Sequence, residues 1–208
     1  MLERTRRLWD KQDQPVGDRR RLFAAVADAV DADSVLYPGS YVDISASFVW
    51  PTVTYVDVDR RANQFFTDTE GVRELLVERG VDVDRSTVEW IHHDYTDDLD
   101  IAEASVDLLV SLYAGFISEH CTEYLRLGGF LLVNPSHGDA AMASLDPRYR
   151  LHGVIVARDA DYWVETGGLD SHLVPRRAAD VTVELLHETG RGVDYTESPF
   201  AYLFERVS

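Results

Sequence analysis

Four short stretches of this 208-residue chain carry side chains whose types and order could hold a small polar ligand. Pro38-Gly39-Ser40-Tyr41-Val42-Asp43 closes an apolar run. A glycine in such a turn lets backbone amides approach a ligand closely, so Gly39 and Ser40 are expected to form a backbone floor. Asp57 and Asp59 close the β-branched run Thr52-Val-Thr-Tyr-Val. A carboxylate there can accept two hydroxyl hydrogen bonds from a ribose diol; Asp57 is the expected grip and Asp59 a solvated neighbour. His92-His93-Asp94-Tyr95 follows a third run. Asp94 could accept from an exocyclic amine, with Tyr95 covering a ring face. Tyr113, just beyond a fourth run, is placed to line the reacting end. Each feature also has a plainer reading, because a lone glycine after proline is commonly only a turn and acids are commonly solvated.

Other chemistries fare worse. The dinucleotide fingerprint G-x-G-x-x-G, the P-loop, the G-x-S-x-G elbow and the H-E-x-x-H zinc helix are all missing from the sequence. His92 and His93, adjacent on a strand, would point to opposite faces and could not share a metal. His120 and Cys121, adjacent on a helix, would not face each other either. With one cysteine there is no internal disulfide framework and no multi-cysteine zinc site, so no metal is expected. Asp57-Val-Asp59 resembles the metal-binding triplet of nucleotide-sugar glycosyltransferases, which an acidic chain produces by chance. Asn134-Pro135-Ser136 resembles a motif of amino-methylating enzymes, but follows the fifth strand where that motif belongs after the fourth.

The elements that position these residues follow from periodicity. A first helix is expected at 2–12. Leu22, Phe23, Val26 and Val30 predict a second over about 18–31. The apolar runs at 34–37, 52–57, 87–92, 106–111 and 130–134 predict five short buried strands. Residues 60–79 predict a helix broken near Asp68 with Gly80 as C-cap, and Phe116 to Leu127 a helix closed by Gly128-Gly129. Strands alternating with helices imply a parallel sheet covered on both faces. Tyr149–Arg158, Tyr162–Glu165 and Phe200–Val207 predict longer strands of mixed pattern, with part of Ala178–Gly190 helical between the last two.

Order and spacing together resemble the class I S-adenosylmethionine-dependent methyltransferases over residues 33–134. The matching pieces are Tyr37-Pro-Gly39-Ser-Tyr41-Val-Asp43, Val56-Asp57-Val-Asp59-Arg-Arg-Ala62, Ile91-His-His-Asp94-Tyr95 and Leu125-Arg-Leu-Gly-Gly-Phe-Leu-Leu-Val133. The resemblance implies a doubly wound, mostly parallel, seven-stranded Rossmann-like sheet of order 3-2-1-4-5-7-6. Residues 1–32 would be an N-terminal helical extension on a domain at 33–208. It implies adenosylmethionine as cofactor, held by Gly39, Ser40, Tyr41, Asp57, Asp94, Tyr95 and Tyr113, and methyl transfer to an unidentified acceptor. Methyl transfer needs mainly in-line positioning, so no catalytic side chain is singled out. The glycine-rich first motif is degenerate: Tyr37 stands for the acid, and Tyr41 and Asp43 for the second and third glycines. The first crossover, Ser40 to Pro51, leaves room for barely two helical turns. A non-catalytic Rossmann-like binding module that has lost the cofactor is the alternative.

Composition bounds the setting. Hydrophobic residues at 45% and aromatic residues at 11% can fill a sizeable core. The formal net charge is −17, with 24 Asp and 13 Glu against 19 Arg and one Lys. An acidic surface almost without lysine resembles proteins of salt-accumulating halophiles. Residues 1–21 carry seven bases and four acids, so the rest sums to −20. That basic segment could meet an anionic partner, or pair with its own acidic body. No apolar run is long enough to span a bilayer and the first residues lack a signal-peptide core, so a cytoplasmic protein without a membrane is expected.

Overall fold

The computed structural model describes residues 1–177 and 181–208. Eight strands form one sheet: β1 (Ser34–Pro38), β2 (Thr52–Val56), β3 (Thr87–Ile91), β4 (Val106–Ser111), β5 (Leu125–Val133), β6 (Tyr149–Arg158), β7 (Asp161–Glu165) and β8 (Ala201–Arg206). Their order is β3-β2-β1-β4-β5-β8-β6-β7. The first five strands pair in parallel, and β8 runs antiparallel to both β5 and β6. This is the doubly wound Rossmann-like architecture, with the last strand inserted beside the fifth as expected. The correction is one strand: β7 adds an eighth at the edge. It folds back from β6 through Asp159 and Ala160, both at positive φ (51° and 62°), the geometry of a two-residue type I′ hairpin.

Alternation along the strands feeds two cores. Val35, Tyr37, Val53, Tyr55 and Val110 point to a face covered by α1 (Glu3–Gln12), α2 (Asp18–Ala27), α3 (Arg60–Phe66) and α4 (Thr69–Glu78). Leu36, Val56, Leu109, Leu131 and Val133 point to the other, with α5 (Ile117–His120), α6 (Asp139–Leu145) and α7 (Val183–Thr189). The break at Asp68 is real: its carboxylate accepts the Gly71 N–H at 3.2 Å and caps α4. The first crossover holds only a four-residue 3₁₀ turn, Ser45–Phe48.

The helix expected at Phe116–Leu127 is mostly not one. α5 spans only four residues, and β5 already pairs at Leu125 with Val106. Gly128-Gly129 therefore lies inside a strand. A Cβ at Gly129 would come within 2.9 Å of the Asp107 carbonyl, so the glycine admits the neighbouring strand instead of ending a helix. Of Ala178–Gly190, residues 178–180 lie outside the described residues, and α7 accounts for the helical part. Among the described residues no helix is long and apolar enough to cross a membrane.

Candidate functional site

Strands β1 and β4 are neighbours whose connections leave in opposite directions, so their carboxyl ends form the crevice where open α/β sheets hold ligands. Gly39, Ser40 and Tyr41 leave β1 there, and Tyr113 to Phe116 leave β4. Asp57 follows β2, and Asp94 and Tyr95 follow β3. The fold thus brings the expected residues to one edge of the sheet.

Their polar atoms are turned mainly on the protein. Gly39, at φ +66°, donates its N–H to the Val56 carbonyl at 2.8 Å. A Cβ on Gly39 would lie 2.6 Å from the Ala114 Cβ, so the loops after β1 and β4 touch at this point. Asp57 accepts the Tyr41 N–H at 2.7 Å on one oxygen and the Asp59 N–H at 2.7 Å on the other. Tyr41 sits at φ +51°, and the Arg61 guanidinium lies over its ring at 5.2 Å. Asp59 is no idle acid: it caps α3 through the Arg61 N–H at 2.6 Å and pairs with the Arg61 guanidinium, which holds its carboxyl below the usual range.

Asp94 is likewise engaged. The Thr96 N–H and hydroxyl donate to it at 3.0 and 2.8 Å and hold its carboxyl below the usual range. The Tyr95 hydroxyl stands against Gly115, where a Cβ would meet it at 2.6 Å; burial pushes this phenol up. Tyr113, at φ +60° and 52% exposed, donates its N–H to Asn134 Oδ1 at 3.2 Å. β3 ends at Ile91, so His92 and His93 lie in the following turn, where His92 Nε2 contacts the Val58 carbonyl at 3.1 Å.

Residues that spacing did not single out fill the centre. Arg19, from α2, lies over the Tyr113 ring at 5.1 Å and pairs at 3.4 Å with the buried Asp43, which also accepts the Tyr37 hydroxyl at 3.2 Å. Burial raises the Asp43 carboxyl, against the opposing pull of Arg19. Two buried polar atoms here have no hydrogen-bond partner among the described residues: Arg19 Nη1 and the hydroxyl of Ser40, a residue 3% exposed. Behind this layer the buried Asp139 accepts the hydroxyls of Ser111 and Ser118, each at 2.5 Å, and burial pushes its carboxyl up to about 6. Asp43 had a visible signal, a charge in the first loop. Arg19 and Asp139 had none, because their partners are distant in sequence.

Within the basic N-terminal segment, Arg6 pairs with Glu78, Arg19 with Asp43 and Arg21 with Asp18. Among the described residues no group of three or more His, Cys, Asp and Glu could hold a metal ion. Grooves of 310 to 670 Å³ among the described residues lie elsewhere on the molecule, away from the seven expected residues.

No family model matches the sequence, and no curated protein matches it. Solved structures do resemble the fold. A Klebsiella pneumoniae protein assigned as an O-methyltransferase is 15% identical, covering 79% of this chain and 88% of its own, at a TM-score of 0.49. A protein of Methanococcus maripaludis assigned as an S-adenosyl-L-methionine-dependent methyltransferase is 13% identical over 75% of this chain and 88% of its own, at 0.49. The O-methyltransferase TomG of Streptomyces achromogenes, solved in complex with SAM, is 14% identical over 79% of this chain and 87% of its own, at 0.46. The strand order shows a doubly wound, mostly parallel Rossmann-like fold.

Proposed function

We propose that this chain is a methyltransferase-like Rossmann module that works by binding and no longer takes adenosylmethionine in the family's manner. One observation carries the reading: the loops after β1 and β4 close on each other, with Gly39 packed against Ala114. In this position Asp57 serves as a tie for the Tyr41 and Asp59 amides, Asp94 closes its own turn, and Tyr95 rests on Gly115. These engagements favour a module that binds without an extended nucleoside cofactor.

A second reading, methyl transfer from adenosylmethionine to an unidentified acceptor, keeps one observation in its favour. The unpartnered Ser40 hydroxyl and Arg19 Nη1 are donors beside the same crevice, and a carboxylate such as Asp57 has further lone pairs for a ribose. Calorimetry with adenosylmethionine and its demethylated product, in molar potassium chloride, separates the two. The binding reading expects no heat with wild type or with Tyr41→Gly while both remain folded. Saturable binding by wild type overturns it, and Asp57→Ala should then weaken that binding about ten- to a hundred-fold.

A further inference from the structure

The opposite end of the sheet carries a groove that neither reading uses. It measures 370 Å³ and opens at the amino ends of β2 and β3, away from the crevice. Arg20, Arg79 and Arg85 line it, with Trp50 at its floor and a single acid, Asp82, at its rim. Three arginines against one carboxylate stand out on a chain of net charge −17.

The arginines are not all spoken for. Arg79 is committed to structure: it pairs with the buried Asp13 and lies over the Trp9 and Phe48 rings at 5.9 and 5.7 Å. Arg20 reaches only the Arg79 carbonyl, at 3.4 Å, and neither Arg20 nor Arg85 forms an ion pair among the described residues. Trp50, which lines the groove, supplies a reporter for it. Trp50 is 3% exposed, yet its indole Nε1–H has no hydrogen-bond partner among the described residues.

We propose that this groove binds a small phosphate-bearing ligand, held by the Arg20 and Arg85 guanidinium groups, with the Trp50 ring in its lining. Guanidinium groups suit phosphate oxygens because their planar fork donates two parallel hydrogen bonds. The volume falls at the small end of small-molecule sites. A long polyanion is the poorer occupant, because the −17 body repels phosphates that extend past the groove. The site stands independently of whether the crevice binds adenosylmethionine.

The test titrates the folded chain with inorganic phosphate and pyrophosphate, balancing ionic strength with potassium chloride, and follows the indole N–H resonances by NMR. The Trp50 signal is assigned by its loss in Trp50→Phe. The expected result is a saturable shift of that resonance with an affinity about tenfold weaker in Arg85→Ala, and weaker again in Arg20→Ala/Arg85→Ala, at unchanged melting temperature. A shift reproduced by chloride alone, an equal affinity in the double variant, or no saturable shift overturns the proposal. So does an affinity that climbs with oligonucleotide length, which would make the face a nucleic-acid surface.

Discussion

The Asp57 carboxylate accepts the Tyr41 backbone N–H at 2.7 Å, joining the end of β2 to the first loop. Because Asp57 also holds the Asp59 N–H, Asp57→Ala frees two amides at once. Charge-assisted bonds of this kind predict a loss of roughly 1.5–3 kcal/mol in urea unfolding. Unchanged stability would mean that the carboxylate is available to a ligand instead.

Gly39→Ala meets both a left-handed backbone and the Ala114 Cβ, and should cost roughly 2–4 kcal/mol. Ala114→Gly removes the clash but not the backbone strain. The double variant should therefore recover part of the loss, with a coupling of about 1 kcal/mol. Strict additivity in the thermal melts would show that the two loops do not press on one another.

Asp139 gives a pH dependence with a definite sign. Its carboxyl is raised to about 6 from 3.8, so the folded state binds the proton more tightly than the unfolded state. The contribution is full below the unfolded value and is lost as pH rises from 4 through 6. The difference corresponds to roughly 3 kcal/mol at neutral pH. Asp139→Asn should gain on wild type in melting temperature across that interval, because an amide keeps a donor and an acceptor for Ser111 and Ser118. Parallel pH profiles would sink the assignment.

Salt should stabilise the chain. Ion pairs such as Arg73–Asp84 and Arg158–Glu165 sit on half-exposed or exposed side chains, where a pair contributes little. Screening the net charge of −17 should outweigh their loss, so the melting temperature rises from about 0.1 M to roughly 2 M potassium chloride. A flat or falling midpoint would mean that the acids are mostly paired, and the halophile-like reading would fall with it.

Local signals explain what was legible in the sequence. Strands β1, β2 and β4 showed as short apolar runs because both of their faces are buried, the edge strand β3 showed through its β-branched and aromatic residues, and the α3–α4 break showed because Asp68 is a capping residue. Ile117, Cys121, Tyr124 and Leu125 have helical spacing and are all buried, yet only the first turn is helical. Pairing of Leu125 with Val106 overrides the periodicity, and Arg206 donates to the Thr122 carbonyl at 2.9 Å from the far end of the chain. The crevice was legible as a place, since Asp57, Asp94 and Gly39 all reach it. Its closure was not, because it depends on Ala114 meeting the bare backbone of Gly39 and on the Tyr95 hydroxyl meeting Gly115, contacts between loops far apart in sequence.

The two N-terminal helices have a kinetic consequence. Tyr162, on the edge hairpin, donates its hydroxyl to Asp18 at 3.1 Å, and the Arg21 guanidinium reaches the Ala160 carbonyl at 2.9 Å. These contacts join positions 144 and 139 residues apart. Loops of that length close slowly. α2 precedes β7 along the chain, so it emerges during synthesis well before its partner. Until the hairpin forms, the apolar side of α2 has no complete seat. The step that joins the first helices to the last edge of the sheet should therefore govern how fast this chain reaches its native state.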